Sequence, residues 1–160
     1  MEQNNPLSLA SQENAAAPAG ARVQPNRKFS TASAAEKTAV LVKWLEENKA
    51  RDVTALNVAD KSPCMDVIIV VTASSLRHGK SLADGLMEEC TKRNYEFLRM
   101  EGYQTGQWIL ADLNDIVVHI FQQEMRELFR IESLWKQSHV LYGEAPDPSH
   151  ASENDPGNED

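Results

Sequence analysis

The stretch from Gln107 to Gln137 changes its hydrophobic period half-way along, and this change limits the possible folds more than any other feature of the chain. Two runs of β-branched and apolar residues, 108–111 and 116–121, flank the polar cluster 112–115. This pattern predicts an antiparallel hairpin with a tight turn. Afterwards, a spacing of three or four residues predicts one face of a helix, formed by Met125, Leu128, Phe129, Glu132 and Trp135. A hairpin and a helix packed over it form a two-layer unit.

The first part of the chain alternates between helix and strand patterns. Ser33 and Glu36 have the spacing of a capping box, which predicts a helix from there to about Asn48. Residues 53–58 predict a short peripheral strand, because their apolar side chains alternate with polar ones. The continuous apolar run 66–73, rich in β-branched residues, predicts a strand near the middle of a sheet.

A second helix is predicted after this central strand, with its end near Asn94, and extended structure resumes from Tyr95 to Met100. The predicted order is therefore α-β-β-α-β-β-β-α. We expect an α/β (α+β) fold in which helices flank a single mixed β-sheet of about five strands.

Composition divides the chain into one domain and two tails. Residues 1–32 are rich in Ala, Ser, Asn, Gln and Pro, and residues 143–160 combine proline with acidic side chains. Such segments bury too little apolar surface to offset the entropy lost on ordering, so we expect both tails to be disordered. The predicted domain spans residues 33–142.

Charge favours a protein partner over a nucleic acid. The formal net charge is −8, and the last seventeen residues contain six carboxylates without any Lys or Arg. Binding to a phosphate backbone depends on many Lys and Arg contacts. The chain is therefore better suited to a basic protein surface.

The sequence favours a cytoplasmic protein that does not enter a membrane. No apolar run approaches the roughly 20 residues needed to span a bilayer, and the start lacks a secretory signal pattern. An organelle-targeted homologue is the alternative. Cys64 and Cys90 match no metal-ligand spacing, so free thiols are expected, although a disulfide stays open.

Two patterns permit an enzyme as the competing hypothesis. The segment 72–79 places Ser74, Ser75, Arg77 and His78 between a strand and a helix, where free amides and the helix dipole favour an anion. The same residues also make an ordinary helix cap, and neither a Walker motif nor a Gly-rich dinucleotide motif is present.

The acids around the hairpin permit metal-dependent nucleotidyl transfer as a second form of this hypothesis. Asp112 and Asp115 lie three apart across the turn, with Glu101 on the preceding strand, yet turn chemistry explains both aspartates without a metal. His119 alternates with apolar residues, so we expect a structural polar cluster with Glu132 or Arg126 as its neighbour.

The order of residues also resembles the ribosomal silencing factor family, also called the RsfS or Iojap-like family. The resemblance covers about residues 35–135. It is carried by the segment 72–78, Glu101-Gly102, Trp108–Asp112, the strand with His119, and the helix with Arg126, Glu132 and Trp135.

This resemblance implies a nucleotidyltransferase-like fold without a reaction, a cofactor or a metal. It implies binding to ribosomal protein L-fourteen on the large subunit, which would sterically block the small subunit and repress translation when nutrients are limiting. The expected partner-binding residues are Trp108, Glu101, Tyr103 and Asp112. The roles of the other motif residues stay open: Ser74, Ser75, Arg77, His78, Gly102, His119, Arg126, Glu132 and Trp135. A homodimer and a scaffold that only dimerises also stay open.

Overall fold

A computed structural model describes residues 28–144, so the sequence-based predictions for 1–27 and 145–160 lie outside the described residues. Helix α1 spans Ala34–Glu47, and strands β1 and β2 span Arg51–Asn57 and Val67–Ala73. Helix α2 spans Leu76–Arg93 and is followed by three strands, β3 (Arg99–Glu101), β4 (Trp108–Asp112) and β5 (Ile116–Gln122). The chain continues through α3 (Gln123–Phe129) and a 3-10 helix (Ile131–Trp135) to β6 (His139–Tyr142).

The six strands form one mixed sheet in the order β3-β4-β5-β2-β1-β6. Strands β2 and β5 are parallel neighbours, and the other pairs are antiparallel. The predicted α+β architecture and the predicted hairpin of β4 and β5 are confirmed. Every residue of β2 is buried, as expected for a central strand.

Strand β1 is not peripheral as predicted, because β6 pairs with its outer edge. The prediction missed β6, which contains only four residues. Val53, Thr54, Ala55 and Leu56 are all buried instead of alternating, because both faces of the strand are covered: Val53 and Ala55 belong to one core and Leu56 to the other.

Helices α1 and α2 cover one face of the sheet and enclose the larger core. Ser33 caps α1 through the predicted capping box with Glu36, and Asn94 ends α2 in the left-handed conformation. Ser30 N–H donates to Asn94 O, so backbone contacts reach a few residues before the predicted start of the domain at residue 33. In the described part of the chain, none of the helices combines the length and the apolar character needed to cross a membrane.

The second face is covered by a shorter segment, Gln123–Trp135, which we call the cover segment. It consists of α3 and the 3-10 helix, joined at Arg130 with φ of 43°. The prediction of one continuous helix through Trp135 is therefore wrong. Beneath the cover segment lies a smaller core that includes Phe121, Ile68, Val70 and Leu56.

Candidate protein-docking surface

Trp108 and His119 form the centre of the second sheet face. The Nε1–H of Trp108 donates to Nδ1 of His119 at 3.0 Å, across the neighbouring strands β4 and β5. An indole N–H only donates, so His119 must accept, and its proton then resides on Nε2. Burial lowers the pKa of His119 to about 4. The ring is therefore neutral at physiological pH. Its partner is Trp108, and not Glu132 or Arg126 as expected.

Trp108 lies between the sheet and the cover segment. Its ring stacks on Phe121 with 4.8 Å between centroids and contacts Phe129 at 5.0 Å. The side chain is half-buried and packs against the smaller core. The indole is thus shared between core and surface.

The cover segment exposes apolar side chains that the sequence pattern assigned to a buried stripe. Leu128 is 70% exposed and Phe129 is 48% exposed. Leu134, in the 3-10 helix, is 74% exposed. Leu128 and Phe129 belong to the predicted stripe and precede the break at Arg130, whereas Leu134 follows the break and was not part of that stripe. Single exposed apolar residues are ordinary, but three within seven positions are characteristic of an interaction site.

An ionic rim borders Trp108 on the same face of the sheet. Arg99 lies between two acids, with 3.4 Å from its Nε to Asp112 Oδ2 and 3.5 Å from Nη1 to Glu101 Oε1. Because alternate residues of a strand share a face, Asp112 lies on the side of Trp108. Glu101 pairs with Leu110, which also belongs to that side. We call the exposed cover residues, Trp108 and this rim the docking surface.

Tyr103 does not join the docking surface. Its hydroxyl donates to Asp84 Oδ2 on α2 at 2.9 Å, and this hydrogen bond raises the pKa of Tyr103. The ring packs against the larger core beneath α1 and α2. Of the four residues expected to bind a partner, the structure therefore brings together Trp108, Glu101 and Asp112.

Gly102 is required at the start of the loop that separates β3 from β4. Its φ is 76°, and a Cβ atom there would lie 2.0 Å from the carbonyl oxygen of Trp108. Any other residue would push the backbone away from Trp108. The Glu-Gly pair in the sequence thus marks a close backbone approach beside the docking surface.

The segment Ser74–His78 is occupied by internal hydrogen bonds. The Oγ of Ser75 caps α2 by accepting from His78 N–H, and Ser74 N–H donates to Nδ1 of His78. With Nδ1 accepting, His78 Nε2 donates to the carbonyl of Asn48 at the end of α1. The Nε2 of Gln122 donates to Ser75 O. These contacts connect α1, α2 and β5, so the motif has a structural explanation without a bound phosphate.

The two turn acids point to opposite faces of the sheet. Asp112 pairs with Arg99 on the docking side, whereas Asp115 Oδ2 lies 2.6 Å from Nζ of Lys37 on α1. The pair cannot converge on one cation in this arrangement. Within residues 28–144, no cluster of three or more His, Cys, Asp or Glu side chains is arranged to hold a metal.

Arg126 in α3 and Glu132 in the 3-10 helix form an ion pair within the cover segment, with 2.7 Å from Nε to Oε1. Trp135, predicted to be core, is half-buried and packs against the smaller core.

The two cysteines are free and lie in different environments. Cys90 is buried, and burial raises the pKa of its thiol to about 12. Cys64 is exposed in the loop before β2. The structure contains no bond between them.

The family model described as "Ribosomal silencing factor during starvation" matches residues 31–160. The chain belongs to the RsfS family. The ribosomal silencing factor RsfS of Haemophilus influenzae is 37% identical over 95 residues, which cover 59% of this chain and 93% of the relative. The RsfS protein of Halalkalibacterium halodurans is 32% identical, with 59% of this chain and 80% of the relative covered.

Solved structures of similar proteins support the same fold. A Chromobacterium violaceum protein superimposes with a TM-score of 0.65 at 27% identity, and the match covers 72% of this RsfS-family chain and 92% of the other. A Bacillus halodurans protein gives 0.57 at 31% identity, covering 62% and 93%. A mouse protein named "Mitochondrial assembly of ribosomal large subunit protein 1" is 26% identical over 60% of this chain and 43% of its own length. The resemblance to nucleotidyltransferases stays a prediction.

Proposed function

We propose that this ribosomal silencing factor binds the large ribosomal subunit through ribosomal protein L-fourteen. The bound domain would then prevent the small subunit from joining and repress translation when nutrients are limiting. The observation that carries the proposal is the group of exposed apolar side chains on the cover segment, next to the half-buried ring of Trp108. Action in the cytoplasm belongs to the same proposal.

The chemistry of the docking surface suits a basic protein. Its centre offers an aromatic ring and large apolar side chains, which supply most of the binding energy in protein interfaces. Its rim carries Glu101 and Asp112, two acids that share the single cation Arg99 between them. Acidic side chains accelerate the encounter with a basic surface and exclude partners of the wrong charge.

Steric blocking requires a rigid body at the right place and no reactive group. The neutral ring of His119, the separated turn acids and the occupied Ser74–His78 segment are all consistent with a factor that acts by binding. The name of the mouse relative also refers to the large ribosomal subunit, which agrees with the proposed partner. Homodimer formation stays a secondary proposal, because a dimer could be the free form of the factor.

The sharpest test replaces an exposed leucine of the cover segment by an acid. Leu134→Asp places a charge in the proposed interface without disturbing the core, because the side chain is 74% exposed. We expect the affinity for purified large subunits to fall at least tenfold, as for a residue at the centre of an interface. Cosedimentation with the subunits measures this change.

Leu76→Asp is the matched control, because Leu76 is 47% exposed at the start of α2 and lies outside the docking surface. It should bind as the unchanged protein does. Equal binding by Leu134→Asp would refute the assigned surface. Unimpeded joining of the subunits at saturating protein would refute the proposed function itself.

A further inference from the structure

The side chain of Arg126 connects the cover segment to two strands of the sheet. Its Nη1 donates to Asp52 O at 2.6 Å and to Thr72 Oγ1 at 2.9 Å, and Nη2 lies 3.5 Å from Thr54 Oγ1. Its Nε donates to Glu132 in the 3-10 helix. The side chains of Arg126 and Glu132 are only 13% and 16% exposed. The guanidinium group of Arg126 therefore connects α3 to the 3-10 helix, to β1 and to β2 by hydrogen bonds.

The sheet is locally distorted where it receives this side chain. The pairing of β1 with β2 shifts register between Arg51 and Thr54, and Asp52 between them has φ of 49°. This bulge directs the carbonyl of Asp52 to Arg126 instead of into the strand ladder. Thr72, in the centre of the sheet, is fully buried and accepts through its hydroxyl group.

Stability alone does not explain a network of this kind. A buried ion pair loses much of its Coulomb energy to desolvation, and an apolar pair of similar volume is often equally stable. Apolar contacts, however, allow one element to slide over another. The planar guanidinium fixes direction as well as distance through its fork of donors, and a lysine would not reproduce that geometry.

Arg126 and Glu132 hold the chain on both sides of Arg130, the corner at which α3 ends and the 3-10 helix begins. Arg126 precedes Phe129 by three residues on α3, and the ring of Phe129 contacts Trp108 at 5.0 Å. Glu132 lies just after Arg130, where the chain changes direction. The exposed Leu128 and Leu134 lie on either side of this corner.

We propose that Arg126 is a positioning residue for the docking surface. Together with Glu132 and Thr72 it sets the place of the cover segment relative to Trp108, so that the partner meets a surface that is already formed. The proposal rests on the proposed function and adds that affinity depends on preorganisation.

The test separates stability from position with the variants Arg126→Met and Glu132→Leu and their combination. Each single variant leaves a partly buried charge without its partner, so both should unfold at lower denaturant concentration. The double variant replaces the ion pair by apolar contacts and should regain most of the lost stability. We expect it nevertheless to bind purified large subunits about tenfold more weakly than the unchanged protein.

A second measurement follows the position of Trp108 without any partner. The indole N–H signal of Trp108 in a nitrogen–proton NMR spectrum is assigned by its absence in Trp108→Phe. It should shift in the double variant, because the ring of Phe129 moves. Should the double variant fail to fold, Thr72→Val removes one acceptor in the sheet, and the same signal must shift in that variant.

The control is the pair of Arg93 and Glu89 on α2, 3.2 Å apart and remote from the cover segment. The double variant Arg93→Met with Glu89→Leu should keep both the signal of Trp108 and the affinity. An unmoved signal or unchanged binding in the Arg126 and Glu132 double variant overturns the proposal. If the unchanged protein does not bind the subunits, the proposed function fails, and the NMR signal alone decides whether Arg126 positions Trp108.

Discussion

The hydrogen bond from Trp108 to His119 can form only while the histidine is neutral. A protonated imidazole carries N–H groups on both nitrogens, so Nδ1 would then face the indole donor. The environment of His119 supports the neutral form, because burial disfavours the charged imidazolium. This pair couples the stability of the domain to the structure of the docking surface.

Stability should therefore fall as the pH is lowered through the range of histidine titration. The folded pKa of His119 is about 4, below the value near 6.5 of an unfolded chain, so the unfolded state takes up the proton first. The free energy of unfolding is unaffected above pH 6.5 and should decrease by about 3 kcal/mol in total between pH 6.5 and 4. Urea denaturation at successive pH values measures this dependence.

His119→Gln is the control for this pH effect, because the amide oxygen of glutamine can accept from Trp108 and does not titrate. The variant should lose the part of the pH dependence that arises between pH 5 and 6.5, where carboxylates contribute little. An identical slope in both proteins would show that His119 is not the responsible group.

At the scale of elements, the contact of α1 with α2 depends on a glycine. A Cβ atom at Gly85 would lie 2.5 Å from Cη2 and Cζ2 of Trp44, so the indole of α1 occupies the space above α2. Gly85→Ala should destabilise the domain by about 1–2 kcal/mol, because overpacking outweighs the gain in helix propensity. Denaturant unfolding measures the change.

Gly79→Ala in the same helix is the matched comparison. A Cβ atom at Gly79 meets Nε2 of Gln122 at 3.4 Å and Cβ of Ala73 at 3.5 Å, which are ordinary contacts. This variant should gain about 0.5–1 kcal/mol from helix propensity. Stabilisation by both alanines would contradict the assigned packing of Trp44.

The spacing of apolar residues predicted α1, α2, β2 and the hairpin of β4 and β5 correctly, but it did not predict the end of α3 or the short strand β6. Arg130 adopts φ of 43° although arginine is a good helix former, so nothing in the residue type announces the end of α3. Strand β6 was missed because a run of four residues between Ser138 and Gly143 gives a weak signal. The error then propagated to β1, which was predicted to lie at the periphery.

At the scale of the whole molecule, the sequence predicted the centre of the candidate surface but not its extent. Family motifs identified Trp108, whereas no sequence pattern predicted that Leu128 and Leu134 are exposed. The partners of Arg126 at Asp52 and Thr72 are 74 and 54 residues away in the chain. Contacts at such separations depend on the topology of the sheet and leave no local pattern.

The negative net charge of the molecule should affect how fast it finds its partner. If the partner is basic, the association rate with large subunits should fall about tenfold between low and high salt, while dissociation changes little. Glu101→Gln should weaken this salt dependence, since Glu101 lies in the rim. Glu88→Gln, on α2, is the control and should leave it unchanged. Stopped-flow mixing at several salt concentrations measures these rates.

The position of β6 has a consequence for the way the chain is made. The second strand partner of β1 is supplied by residues 139–142, more than eighty positions later in the sequence. During synthesis, β1 must therefore keep an open strand edge until residues 139–142 have left the exit tunnel. Until then, the unpaired edge of β1 is open to pairing with strands of other chains.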